Sequence, residues 1–110
     1  MLKTKNLPQC PVETTLMLIV DKWKVLILRD LASGTKRFGE LKKSLGNISQ
    51  KVLTTQLRDM EKNGLIYRTV YAEVPPRVEY SLTKLGLSLK PILDVMKDWG
   101  ENYQSQMCNN

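Results

Sequence analysis

The chain has 110 residues, with 17 Lys and Arg against 11 Asp and Glu and no histidine, for a formal charge of +6. That length suits one domain, taken as residues 1–110, and 42% apolar with 25% charged residues suits a folded one. The missing histidine excludes Ser-His-Asp and Cys-His catalysis, and two cysteines cannot complete a four-thiolate zinc site, so no enzyme, no metal and no cofactor is expected.

The longest apolar runs, Leu16 to Val20 and Val25 to Leu28, are too short to cross a membrane, and the first ten residues lack the apolar stretch of a signal peptide. Cysteines at 10 and 108 make no disulfide framework, which fits a reducing cytoplasm. The charge is localised. Residues 1–35 carry +2 and residues 59–110 carry −1. Residues 36–58 hold Lys36, Arg37, Lys42, Lys43, Lys51 and Arg58 against Glu40 alone, a net +5 within 23 residues. Such a patch points to a polyanionic partner.

In chain order, Pro11 opens a first helix over about 11–20 with Val12, Leu16, Leu18, Ile19 and Val20. It is apolar on most faces, which predicts burial on several sides. Asp21 is placed to cap a second helix carrying Trp23, Val25, Leu26, Leu28 and Leu31, and Ser33-Gly34 ends it. A short helix follows from about Phe38 to Leu45, then a Gly46-Asn47 turn. Ser49 caps the clearest helix, Gln50 to Lys62, whose apolar face is Leu53, Leu57 and Met60 with Val52 beside them. Lys51, Thr55, Arg58 and Lys62 occupy its opposite face, with Gln50 and Thr54 flanking. Asn63-Gly64 closes it.

The period then changes to two. Leu65 to Tyr71 and Val78 to Leu82 read as an antiparallel hairpin with a tip stiffened by Pro75 and Pro76. Thr83 caps a last helix over about 84–107, which Pro91 kinks or restarts near its beginning. Its Leu89, Ile92, Leu93, Met96, Trp99 and Tyr103 form a heptad-like stripe. The stripe packs either on its own domain or, since Met96, Trp99 and Tyr103 are costly to expose together, in a dimer.

The fold class is therefore mainly α (α+β): a helix-turn-helix at about 38–63, a two-stranded β-hairpin wing at about 65–82, and dimerisation helices at about 11–20 and 84–107. An α-helix fits the DNA major groove. Gln50, Lys51, Thr54, Thr55 and Arg58, with Ser49 at the helix start, are candidates for bases or phosphates. Lys36, Arg37, Lys42 and Lys43 are candidates for the backbone, and Arg77 at the hairpin tip for an adjacent groove or phosphate. The partner is double-stranded DNA. RNA is disfavoured, since Tyr67, Tyr71 and Tyr80 make no evident stacking platform.

Cys10-Pro-Val-Glu-Thr-Thr, Asp21-Lys-Trp-Lys-Val-Leu-Ile-Leu, Lys36-Arg-Phe-Gly-Glu-Leu-Lys, Ile48-Ser-Gln-Lys-Val-Leu-Thr-Thr-Gln-Leu-Arg, Asn63-Gly-Leu-Ile and Val74-Pro-Pro-Arg-Val-Glu-Tyr-Ser-Leu-Thr together resemble the HxlR-type winged helix-turn-helix regulators. The likeness spans about Cys10 to Gly100 and departs where members commonly have Gly at Val20 or Asp21. It implies a bacterial homodimeric transcription regulator, related in architecture to MarR-type proteins. It also implies dimer contacts from the terminal helices, here Val12, Leu16, Ile19, Ile92, Leu93, Met96, Trp99 and Tyr103. Regulation is expected to be repression at a pseudo-palindromic operator, with the effector open. The alternative is a protein-interaction module on the same scaffold that binds no DNA.

The resemblance further implies that Cys10 senses oxidants or electrophiles, as an N-terminal cysteine at this motif does in several members. The chain's own chemistry agrees: Lys3, Lys5 and a helix N-terminus favour a thiolate at that position. Simple packing is the competing role. Cys108 is incidental or pairs with Cys10 of a second subunit.

Overall fold

The computed structural model describes residues 6–108. Helix α1 (Pro11–Ile19) begins on Pro11 and is followed at once by α2 (Lys22–Ala32). Asp21 opens α2 as expected, its Oδ1 accepting from the Trp23 N–H at 2.7 Å. After Gly34 (φ +143°) a two-residue strand, β1 (Lys36–Arg37), leads into α3 (Phe38–Leu45). There the Glu40 carboxylate reaches back to accept from the Arg37 N–H at 2.8 Å.

Helix α4 (Gln50–Lys62) has the expected Ser49 cap, with the hydroxyl oxygen accepting from the Val52 N–H at 3.1 Å. It ends at Gly64, whose φ of +78° lets the Leu65 N–H turn back to the Met60 carbonyl at 3.0 Å. Strands β2 (Ile66–Tyr71) and β3 (Arg77–Leu82) pair antiparallel from Ile66 opposite Leu82 to Tyr71 opposite Arg77.

The structure corrects the sequence reading at several points. The sheet has three strands in the order β1-β3-β2, with Lys36 opposite Tyr80, so the wing is more than a hairpin. A two-residue strand carries no periodicity to read. Leu65 precedes β2 as a buried turn residue, and β3 starts at Arg77. Of the two effects expected of Pro91 the restart is the one observed: α5 (Lys84–Leu87) and α6 (Lys90–Cys108) divide at Ser88-Leu89, with Pro91 in the first turn of α6 where its missing N–H costs nothing. Finally, α1 is far less buried than its apolar character predicts. Only Ile19 is enclosed, while Val12 and Val20 are 65% and 72% exposed.

The core joins Ile27, Leu28 and Leu31 of α2, Leu41 and Leu45 of α3, Leu53, Leu57 and Met60 of α4, and Ile19, Ile48, Leu65, Ile66 and Leu89. Val52, expected beside that α4 face, lies at the surface. Helix α6 has no buried residue. Among the described residues no helix is long and apolar enough to cross a membrane.

One contact sets the seam between wing and terminal helices. The Thr83 hydroxyl donates to the Gly64 carbonyl at 2.6 Å and accepts from the Gly86 N–H at 3.0 Å, drawing α5 against the turn. Gly86 then lies so close to the Leu65 carbonyl that a β-carbon there would overlap it. Gly86→Ala is expected to destabilise the fold by about 1–3 kcal/mol or more in urea denaturation, because backbone cannot yield as a side chain can. Gly100→Ala, where an added methyl meets nothing within 4 Å, should instead gain up to about 1 kcal/mol from helix propensity. Equal effects at the two sites would contradict this packing.

Candidate nucleic-acid interface

Helix α4 is 13 residues long, about 20 Å, and projects one face outward. Its inner stripe is Leu53, Leu57 and Met60; the helical period places Lys51, Thr55, Arg58 and Lys62 opposite, and all four are exposed. Two polar ties to α2 fix the roll of the helix. Asp21 Oδ2 accepts from Gln56 Nε2 at 3.2 Å, and Lys24 Nζ lies 2.9 Å from Asp59. Asp21 thus caps one helix and orients another. Neither Gln56 nor Asp59 carries a sequence signal that announces this role.

Glu40, the one carboxylate among these cations, is taken up by the Arg37 N–H, and other acidic side chains nearby are spent on other cations. Glu61 faces Arg68 at 4.0 Å, and Glu73 and Glu79 hold Arg77 at 3.1 and 3.4 Å. Among the described residues, Lys36, Arg37, Lys42, Lys43, Lys51 and Arg58 form no ion pair. Lys36 and Lys42 are half-buried, and the other four are exposed. The localised positive charge read from the sequence is therefore uncompensated in three dimensions.

The polar candidates differ in what they have left to offer. The Ser49 oxygen is occupied as the helix cap but keeps its proton free. Thr54 donates its proton to the Gln50 carbonyl at 2.8 Å, whereas Gln50 and Thr55 are open to solvent. Arg77 departs from the sequence expectation. It is the first residue of β3, gripped by two carboxylates, with its guanidinium carbon 3.9 Å from the Tyr71 ring centre. It braces the wing and is not a free cation at the tip.

Sequence reasoning missed Arg68 and Tyr80. They sit opposite each other on β2 and β3 and, with Thr54, Leu57, Arg58 and Glu61, line a crevice of about 200 Å³ between α4 and the sheet. Burial raises the Tyr80 phenol above its usual 10.0; Arg68 and Arg58 pull it down and Glu61 pushes it up, without reversing the effect of burial.

The terminal helices carry a second surface. Val12, Leu16, Ile92, Met96, Trp99 and Tyr103 are exposed, and Trp99 stacks on Tyr103 with ring centres 5.4 Å apart. Two expected members of that surface turn inward: Ile19 lies in the protomer's own core and Leu93 packs half-buried against it. Met17, Val20, Val95 and Met107 extend the exposed apolar set. Cys10 is an exposed free thiol at the position preceding α1, where it makes no side-chain cap bond. Lys3 and Lys5, expected beside it, lie outside the described residues. Cys108, exposed and free, ends α6.

A family model described as HxlR-like helix-turn-helix matches residues 18–108. The HTH-type transcriptional regulator YdeP of Bacillus subtilis (strain 168) is 52% identical over 98 residues, which are 89% of this chain and 77% of that protein. The solved structure of the redox regulator HypR in its reduced form superposes with a TM-score of 0.86 at 44% identity, covering 92% of this chain and 100% of that one. Its oxidised form gives 0.79 at 48% identity, covering 84% and 96%.

Because burial disfavours the Tyr80 phenolate, the associated stability is complete below pH 10 and is lost as the pH rises through the raised folded value. An alkaline absorbance titration of the folded protein should show one phenol ionising late, and Tyr80→Phe should abolish that step. Superimposable titration curves, apart from amplitude, would contradict this assignment.

Proposed function

Since the chain belongs to the HxlR-like helix-turn-helix family of transcriptional regulators, we propose that it is a dimeric repressor occupying a pseudo-palindromic operator. The uncompensated cationic surface on and before α4 carries this reading. Lys51, Thr55, Arg58 and Gln50 face the major groove, where guanidinium, ammonium and amide groups discriminate base edges. Lys36, Arg37, Lys42, Lys43 and the Ser49 hydroxyl hold flanking phosphates and set the register. Arg77 serves the wing indirectly by keeping β3 braced at its start.

Dimerisation through α1 and α6 covers apolar side chains that otherwise remain in water, with Trp99 and Tyr103 at the centre. A two-fold axis then sets two recognition helices roughly 34–36 Å apart, one DNA turn, so each subunit reads one half-site. The exposed thiol of Cys10 and the likeness to a redox regulator support a second layer, in which oxidation in a normally reducing cytoplasm changes operator affinity. Cys108 of the second subunit is the alternative partner for that thiol.

A gel shift on the DNA upstream of its own gene tests the central reading. Salt-sensitive, sequence-selective binding is expected, with log affinity falling by roughly 0.9 per decade of salt for each phosphate neutralised. Arg58→Ala should weaken specific binding by about tenfold or more, the value of a lost bidentate contact, while leaving the fold intact. A stable complex with another protein and no DNA affinity would favour an interaction module instead. Trp99→Glu should yield monomers in sedimentation velocity. Operator affinity unchanged by diamide, and unchanged in Cys10→Ser, would remove the thiol switch.

A further inference from the structure

The crevice between α4 and the sheet is lined mostly by polar side chains, one of which, Arg58, also belongs to the outward stripe of α4. Tyr80 lies in the middle strand, directly opposite Arg68 on β2 and Lys36 on β1. Paired residues of antiparallel strands point to the same face, so the three form one row across the sheet. Arg58 and Thr54 enter from α4. Arg58 has no carboxylate partner among the described residues, and the Tyr80 hydroxyl makes no hydrogen bond there. Arg68 meets Glu61 only at 4.0 Å, with both side chains nearly half exposed, so water screens that pair.

Two guanidinium groups, an uncommitted phenol and one loosely held carboxylate leave a pocket with excess positive charge and free donors. Guanidinium forks and hydroxyls are the groups that bind phosphate oxygens most directly. Arg58 is the link to the DNA-facing surface, because it belongs to both the exposed stripe of α4 and the crevice wall. A strand flanking the major groove runs alongside a helix inserted in it. We infer that Arg58, Arg68 and Tyr80 form a seat for one backbone phosphodiester, clamped between the recognition helix and the wing. The inference rests on the DNA-binding reading above. It gives Arg58 a phosphate as well as a base edge, and it makes the wing's contribution come from the base of β2 and β3.

The test uses the full chain with a random-sequence duplex of about 30 base pairs and the upstream duplex, followed by fluorescence anisotropy across a salt series. Tyr80→Phe, which leaves the charge unchanged, should weaken both duplexes by the same factor, roughly tenfold to a hundredfold for a hydrogen bond to a charged oxygen. Arg68→Gln should weaken both about tenfold or more and reduce the salt slope by about 0.9. Glu61→Gln, which frees Arg68 and removes a negative charge, should act in the opposite direction. In the upstream duplex, a methylphosphonate placed at each phosphate in turn should make Tyr80→Phe silent at one position in each half-site and at no other. Thermal melts verify that the variants fold.

Wild-type binding with no loss in Tyr80→Phe and Arg68→Gln overturns the seat but leaves the regulator reading standing. A loss confined to the upstream duplex also overturns it, since a backbone contact is blind to sequence. Failure of the wild type to bind any duplex overturns both. Inorganic phosphate at constant ionic strength separates the sources: a Tyr80 ring NMR signal that shifts with phosphate but not with duplex assigns the crevice to a free anion and overturns the backbone assignment.

Discussion

Helix α4, the hairpin and the route to α6 converge on a few atoms around Leu65. Its N–H closes α4 onto the Met60 carbonyl, and its carbonyl accepts the Thr83 N–H at 3.0 Å. The Thr83 hydroxyl bridges from Gly64 to Gly86, and Gly86 is small enough to let α5 rest on the Leu65 peptide. Leu65 itself is 1% exposed. Four segments that would otherwise pivot independently share one buried junction. A disturbance there shifts the angle between α4 and the sheet, and hence every distance across the cationic surface. Buried apolar side chains supply most of the stability, while these few directed bonds select one arrangement among many compact ones.

The same division of labour holds at the other edge of α4. The Asp21–Gln56 and Lys24–Asp59 contacts are partly solvated and contribute little to stability on their own. They are directional, though, and sit on the flank between the core stripe and the outward stripe. Rolling the helix by one residue would break both and would carry Leu53 toward water. The outward presentation of Lys51, Thr55 and Arg58 is thus a by-product of what the opposite face and the α2 flank require.

Where strong local chemistry and periodicity agree, the sequence is informative. Ser49, the Leu53-Leu57-Met60 spacing and Asn63-Gly64 define α4 from cap to cap, and Asp21 and Thr83 cap their helices as their types suggest. What escapes is of two kinds. Strand β1 is too short to have a pattern, and while Pro91 signals a restart, its exact place at Ser88-Leu89 is hidden because Leu89 continues the apolar stripe into the core. The second kind concerns what a face touches. Periodicity marks α1 and α6 as amphipathic without saying whether their apolar sides meet this chain, as Ile19 and Leu93 do, or remain outside it, as Val12 and Trp99 do. Pairing of Arg68 with Tyr80 likewise depends on a strand register that composition alone leaves free, because a loop of several residues separates the strands.

The unpaired cations between Lys36 and Arg58 also act on the protein when nothing is bound. Like charges crowded onto one surface with a single carboxylate among them repel, and that repulsion is relieved when the chain expands. Dissolved ions screen it over a distance of about 10 Å at 0.1 M. Added salt therefore steadies the free protein while loosening its hold on any polyanion. A polyanion that holds the clustered charges of the native state more tightly than the expanded chain raises the melting temperature as it binds. The surface that is uncomfortable by itself is one that its partner completes.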